Sequence, residues 1–130
     1  MKRGSKQIGV LFLSLVFVGC STKVAEQRLY GRFVASYPFG TDTLILNRDG
    51  SFLQEVVIKN ERPVTVHGQW SFDQKASYAH FHGLMIVDDG QGNLSNDWRT
   101  QTSILVEMDV EMHWFRIVME SAARYPYVKQ

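Results

Sequence analysis

The sequence predicts one all-β domain over residues 29–130, a small antiparallel barrel or meander of about seven to eight strands. Three observations carry this expectation. Short apolar runs alternate with turn residues at intervals of about ten positions. Val64, Val66, Gly68, Trp70 and Phe72 alternate with Thr65, His67, Gln69 and Ser71, which is the two-residue period of a half-buried strand. Asn47-Arg48-Asp49-Gly50 offers the positive φ that a tight hairpin turn demands.

The elements follow in order. Residues 31–37 form the first expected strand, and Tyr37-Pro38-Phe39-Gly40-Thr41 breaks it, because proline lacks a ladder donor and glycine tolerates the turn. Residues 42–47 carry Thr-Leu-Ile-Leu into the Asp-Gly turn, and 51–59 return from it. Asn60-Glu61-Arg62-Pro63 turns the chain into 64–72. After a loop at 73–77, a strand is expected over 78–87 with Gly83 as a bulge. The Gly-, Asn- and Asp-rich stretch 88–97 reads as the one long loop. Residues 103–108 read as a short strand. The apolar parity changes around 109–111, which predicts a turn or bulge there. Residues 112–120 then form a strand with Phe115, Ile117 and Met119 on one face, and 125–129 close the sheet.

Ahead of this domain the chain carries an address. Lys2, Arg3 and Lys6 are the only charges in residues 1–19, and they precede the apolar run from Ile8 to Val18. A cationic start and about a dozen apolar residues are two regions of a secretory signal peptide, too short for a permanent span. Without this segment, 11 basic and 13 acidic residues remain, a net −2. That balance gives no electrostatic case for nucleic acid. With 45% hydrophobic and 12% aromatic residues the chain is not a disordered tail, and no second apolar run approaches membrane-spanning length.

Val16-Phe17-Val18-Gly19-Cys20 resembles the lipobox of bacterial lipoproteins, with Phe17 where leucine is usual. The resemblance implies cleavage before Cys20, lipidation of Cys20 and a membrane anchor. Ser21, rather than aspartate, at the next position implies sorting to the periplasmic face of the outer membrane. Cys20 is the single cysteine, so no disulfide forms within the chain and no thiol remains for catalysis. Residues 20–28 are then the lipidated cysteine and a short tether. Further on, Gly31-Arg32-Phe33, the run from Leu44 through Asp49-Gly50-Ser51-Phe52, and Gly68-Gln69-Trp70-Ser71-Phe72 resemble a recurring pattern of bacterial lipocalin-like lipoproteins. Phe33 stands where a lipocalin carries tryptophan. These residues are turn formers and core aromatics, so they imply a shape and leave the chemistry open.

Several groupings bear on chemistry. His80-Phe81-His82 places two imidazoles on one strand face, a spacing that two ligands of one Cu or Zn ion can use, with His67 on the preceding strand as a third candidate. The competing reading is a solvated strand face. Glu107, Asp109, Glu111 and His113 alternate as an acidic stripe, read as a solvated turn before the last long strand. The 88–97 loop lacks the ligand spacing of an EF-hand. Trp98 and Arg99 at its end, with Tyr37 and Phe39 in the first turn, are residue types enriched at binding hot spots, and they are the candidate partner-binding residues. No nucleophile elbow, His-Glu-x-x-His or phosphate-cradling loop occurs.

The functional expectation is therefore a non-catalytic, cofactor-free envelope lipoprotein held on the membrane through Cys20. It would bind an envelope protein or a small apolar ligand. The alternative is a Cu/Zn-binding module using His80, His82 and His67.

Overall fold

The computed structural model describes residues 23–121 and 125–130, so the expected signal peptide, lipobox and Cys20 lie outside the described residues. A 3-10 turn at Glu26–Arg28 leads into eight strands. These are β1 (Gly31–Tyr37), β2 (Gly40–Leu46), β3 (Ser51–Ile58), β4 (Val64–Asp73), β5 (Tyr78–His82), β6 (Val106–His113), β7 (Arg116–Glu120) and β8 (Tyr127–Lys129). Each pairs antiparallel with its neighbours in sequence, and β8 pairs back onto β1 through Phe33–Lys129 and Val34–Val128. The chain is thus a closed up-and-down barrel, the all-β fold that the sequence predicts. Pairing with β8 covers Phe33 and Val34 of β1 and Val118 and Met119 of β7, which shortens the strand edge left to recruit another chain. Among the described residues no helix is long and apolar enough to cross a membrane.

The inward residues follow the two-residue period. Phe33 and Ala35, Leu44 and Leu46, Phe52 and Val56, Ala79 and Phe81, Met108 and Val110, and Ile117 and Met119 are all buried. Phe52 and Phe81 meet edge to face at 5.7 Å, and Trp70 donates its indole N–H to the Asn47 carbonyl at 3.0 Å. Gly68 is inward on β4 because nothing larger fits. A Cβ there would lie 2.3 Å from the His82 carbonyl oxygen and 2.4 Å from the Phe52 ring. Such contacts are well inside van der Waals distance, so the glycine lets the Phe52 ring cross the barrel.

The strand pairing gives the barrel two different ends. The leading end gathers the start of β1, the 47–50 turn, the β6–β7 turn and the end of β8. The far end gathers the 38–39 and 59–63 turns and the long 83–105 segment. Two local expectations are corrected. β5 stops at His82, and Gly83, with φ +85°, ends the strand instead of bulging within it. The expected break at 109–111 does not exist, since β6 runs unbroken from Val106 to His113. Its turn is Trp114-Phe115, flanked by the paired His113 and Arg116. Phe115, expected on the face of Ile117 and Met119, is exposed.

Candidate functional site

The leading half of the interior is wholly apolar, but the far half is not. Asp42 shares the inward face of β2 with Leu44 and Leu46, and Gln54 shares that of β3 with Phe52 and Val56. Both are buried. Gln54 Nε2 donates to both carboxylate oxygens of Asp42, at 3.1 and 3.0 Å. Tyr127, on the inward side of β8, donates its hydroxyl to Asp42 Oδ2 at 2.5 Å. Burial drives the Asp42 carboxyl up to about 7, against the opposing pull of the hydrogen bonds from Tyr127 and Gln54. The same burial, with Asp42 beside it, holds the Tyr127 phenol well above the usual tyrosine value.

Gln54 also fastens the segment that covers the far end. Its Oε1 accepts from the Met85 N–H at 2.8 Å and its Nε2 donates to the Met85 carbonyl at 3.1 Å. One side-chain amide therefore pairs with a peptide as a strand neighbour would. The rest of the segment folds back on itself through backbone bonds. Ser103 donates to Leu84, Ile86 to Gln101 and Ser95 to Val87, all at 2.8 Å. Met85, Val87 and Trp98 then pack with Val56 and Ile58 as a second apolar cluster. The expected long loop at 88–97 is part of a built cover.

Between this cover and the barrel mouth lies an open cleft of about 510 Å³, lined by Tyr37, Asp42, Met85, Val87, Asp88 and Tyr127 among others. Its lining is mostly apolar and carries three carboxylates, Asp42, Asp88 and Asp89, with no lysine, arginine or histidine among the described residues. Asp88 is 8% exposed. Its Oδ1 accepts from the N–H groups of Gly90 at 2.5 Å and Gly92 at 3.3 Å, while its buried Oδ2 has no hydrogen-bond partner. A buried carboxylate oxygen without a donor is costly, which marks the place where a donor belongs. Tyr37 lines the same cleft. Burial raises its phenol far above the ordinary value, and the nearby charges of Asp42 and Asp88 raise it further.

The structure draws Tyr37, Phe39, Trp98 and Arg99 toward the same far end. Tyr37 stacks on Phe39 at 4.8 Å and lines the cleft, and Phe39 packs on the Trp98 cluster. Trp98 is buried, with the Arg99 guanidinium over its ring at 4.6 Å. Arg99 is itself braced by Glu61 at 2.5 Å. His67, His80 and His82 occupy the opposite, outer face of β4 and β5. His80 sits 3.4 Å from Glu107, and His82 Nδ1 lies 3.0 Å from the Ile104 carbonyl. Among the described residues no three His, Cys, Asp or Glu side chains are grouped to hold a metal ion. The acidic stripe is the outer face of β6, where His113 pairs with Glu111 at 2.8 Å.

The residues that sequence reasoning missed are Asp42, Gln54, Asp88 and Tyr127. Asp42 and Gln54 had a visible signal, since each is a polar residue at an inward position between apolar ones. Comparison with protein-family models, with curated proteins and with solved structures finds no match, so the geometry of the far-end cleft carries the functional reading by itself.

Proposed function

We propose that this protein is an envelope lipoprotein, anchored through Cys20 at the periplasmic face of the outer membrane, whose lipocalin-like barrel binds a small ligand without transforming it. The ligand has an apolar body and a cationic or hydrogen-bond-donating head. The lipobox supports the anchor, and a closed eight-strand antiparallel barrel supports the lipocalin resemblance. The observation that carries the ligand reading is the unpartnered Asp88 Oδ2 in a mostly apolar cleft beside Asp42. Clefts of this kind hold the ligand body by apolar contact and fix its orientation with a few polar groups. A protonated amine that reaches Asp88 supplies the donor its buried Oδ2 lacks and neutralises a lining that, among the described residues, has acids and no bases.

Calorimetric titration of the purified full chain with alkylamines, and with fatty acids of equal length, tests this. Amines should bind and fatty acids should not. Asp88→Asn should weaken amine binding by about 10- to 100-fold, the worth of one charge-assisted hydrogen bond. Equal binding of both series, or of neither, defeats the ligand reading. Palmitate incorporation in cells, lost in Cys20→Ser, tests the anchor separately.

A further inference from the structure

The β6–β7 turn is built against the usual rules. A two-residue hairpin loop ordinarily uses glycine, asparagine or aspartate, because one or both residues need positive φ. Here the loop is Trp114-Phe115, and Trp114 sits at φ +60°. A bulky residue in that region is strained, and such strain gathers at functional positions. Both side chains are almost fully in solvent, at 94% and 92% exposure. Two adjacent large aromatics at the tip of a hairpin contribute nothing to the core.

Their surroundings are cationic. Phe115, Arg116 and Ile117 line a shallow recess of about 530 Å³ together with Arg28, Lys129 and Gln130. Three basic side chains meet there, and among the described residues no Asp or Glu side chain lines the recess. Lys129 is held in place by its Nζ, which donates to the carbonyls of Arg28 and Tyr30. Burial, and then Arg28, lower its pKa, as expected where positive charge is crowded. The nearest acid of the hairpin, Glu111, is already paired with His113.

The chain reaches this same end. Val24 is buried in the main core, ahead of the Glu26–Arg28 turn. Only residues 21–23 separate it from Cys20, so the two Cα atoms lie at most about 14 Å apart. A chain anchored at Cys20 therefore holds its leading end at the bilayer surface. Aromatic tips with a basic rim suit that boundary, where ring and headgroup depth coincide and anionic lipid attracts the cations.

We propose that the leading end of the barrel docks on an anionic membrane surface. Trp114 and Phe115 enter the interfacial layer, and Arg28, Arg116 and Lys129 face lipid phosphates. The tether distance rests on lipidation of Cys20; the aromatic tip and its basic rim do not. In this orientation the far-end cleft opens away from the membrane.

Tryptophan fluorescence of the full chain in vesicles of brominated phosphatidylcholine and phosphatidylglycerol tests the proposal. Trp70 and Trp98 are buried, which leaves Trp114 as the tryptophan that lipid bromine can reach. Wild-type emission should shift to the blue and be quenched. Trp114→Gly should show neither effect while melting at an equal or higher temperature, since glycine accepts φ +60° without strain. Arg28→Glu/Arg116→Glu, which keeps Trp114, should lose most of the quenching. If bromolipid leaves Trp114 bright and aqueous iodide still quenches it on the vesicles, the tip points into water and the proposal falls, leaving a protein partner as its occupant. Release of the chain from vesicles by high salt would count against the Cys20 anchor alone, because the quenching is read before the wash.

Discussion

At the scale of single residues, Asp42 makes the sharpest prediction. Its folded pKa of about 7 lies above the unfolded value of 3.8, so the folded chain holds the proton more tightly. Between those values the folded state binds more protons than the unfolded state, and stability falls as pH rises through the window. The contribution is fully present below about pH 4 and lost above about pH 7, with an upper bound of roughly 4 kcal/mol. Urea denaturation at pH 5 and pH 8 should show this slope in the wild type and a flatter one in Asp42→Asn. The variant keeps an acceptor for Gln54 and offers its amide N–H to the Tyr127 oxygen. An unchanged slope in the variant would remove Asp42 from the account. Ionisation of Asp42 should also tighten amine binding, so affinity measured by titration should be higher at pH 8 than at pH 6. Two of the three residues of this cluster are legible in the sequence. Asp42 and Gln54 stand at inward parity with Leu44 and Phe52, whereas Tyr127 is 85 residues from Asp42 and meets it only once the barrel closes.

At the scale of elements, β6 shows how a sequence reading goes astray. Val106, Met108, Val110 and Met112 point inward and Glu107, Asp109, Glu111 and His113 outward, a regular alternation over the whole strand. The inward residues then change from even to odd numbers, with Ile117 and Met119. That change has to occur at a turn, and the turn is Trp114-Phe115. No glycine, asparagine or proline marks it, so the sequence pattern alone puts the break near the acids. The cover over the far end has a comparable weak signal, because its main fastening is a side chain on β3. Gln54→Leu should remove the partners of the Met85 peptide and leave Asp42 Oδ1 without its donor, while Tyr127 still donates to Oδ2. A loss of roughly 2–4 kcal/mol is expected, with faster amide exchange at Ile86 and Ser103 than in the barrel strands. Protection there equal to the wild type would mean that the cover holds itself. Gly68→Ala should be worse than a surface substitution by at least about 1–3 kcal/mol, since its Cβ meets a backbone oxygen that cannot rotate away. A thermal melt unchanged by this substitution would show that β4 and β5 can part without cost.

At the scale of the whole molecule, the all-β class and most strand positions were legible because turn residues and the two-residue period repeat from Gly31 to Asp73. Closure was less legible, since it depends on β8, a strand of three residues that pairs on both sides. Each half of the molecule has a distinct character. The end from which the chain emerges is apolar inside and sets Arg28, Arg116 and Lys129 around its recess, and the opposite end holds the buried carboxylates and the cleft. The brevity of β8 has a further consequence for how the protein is made. Synthesis delivers β1 first of the eight strands and Tyr127–Lys129 last of them, so the ring of hydrogen bonds has no way to form until the ribosome has passed Lys129. Until then β1 and β7 each present an open margin, and a chain stalled before Pro126 should be captured by proteases or by another copy of itself.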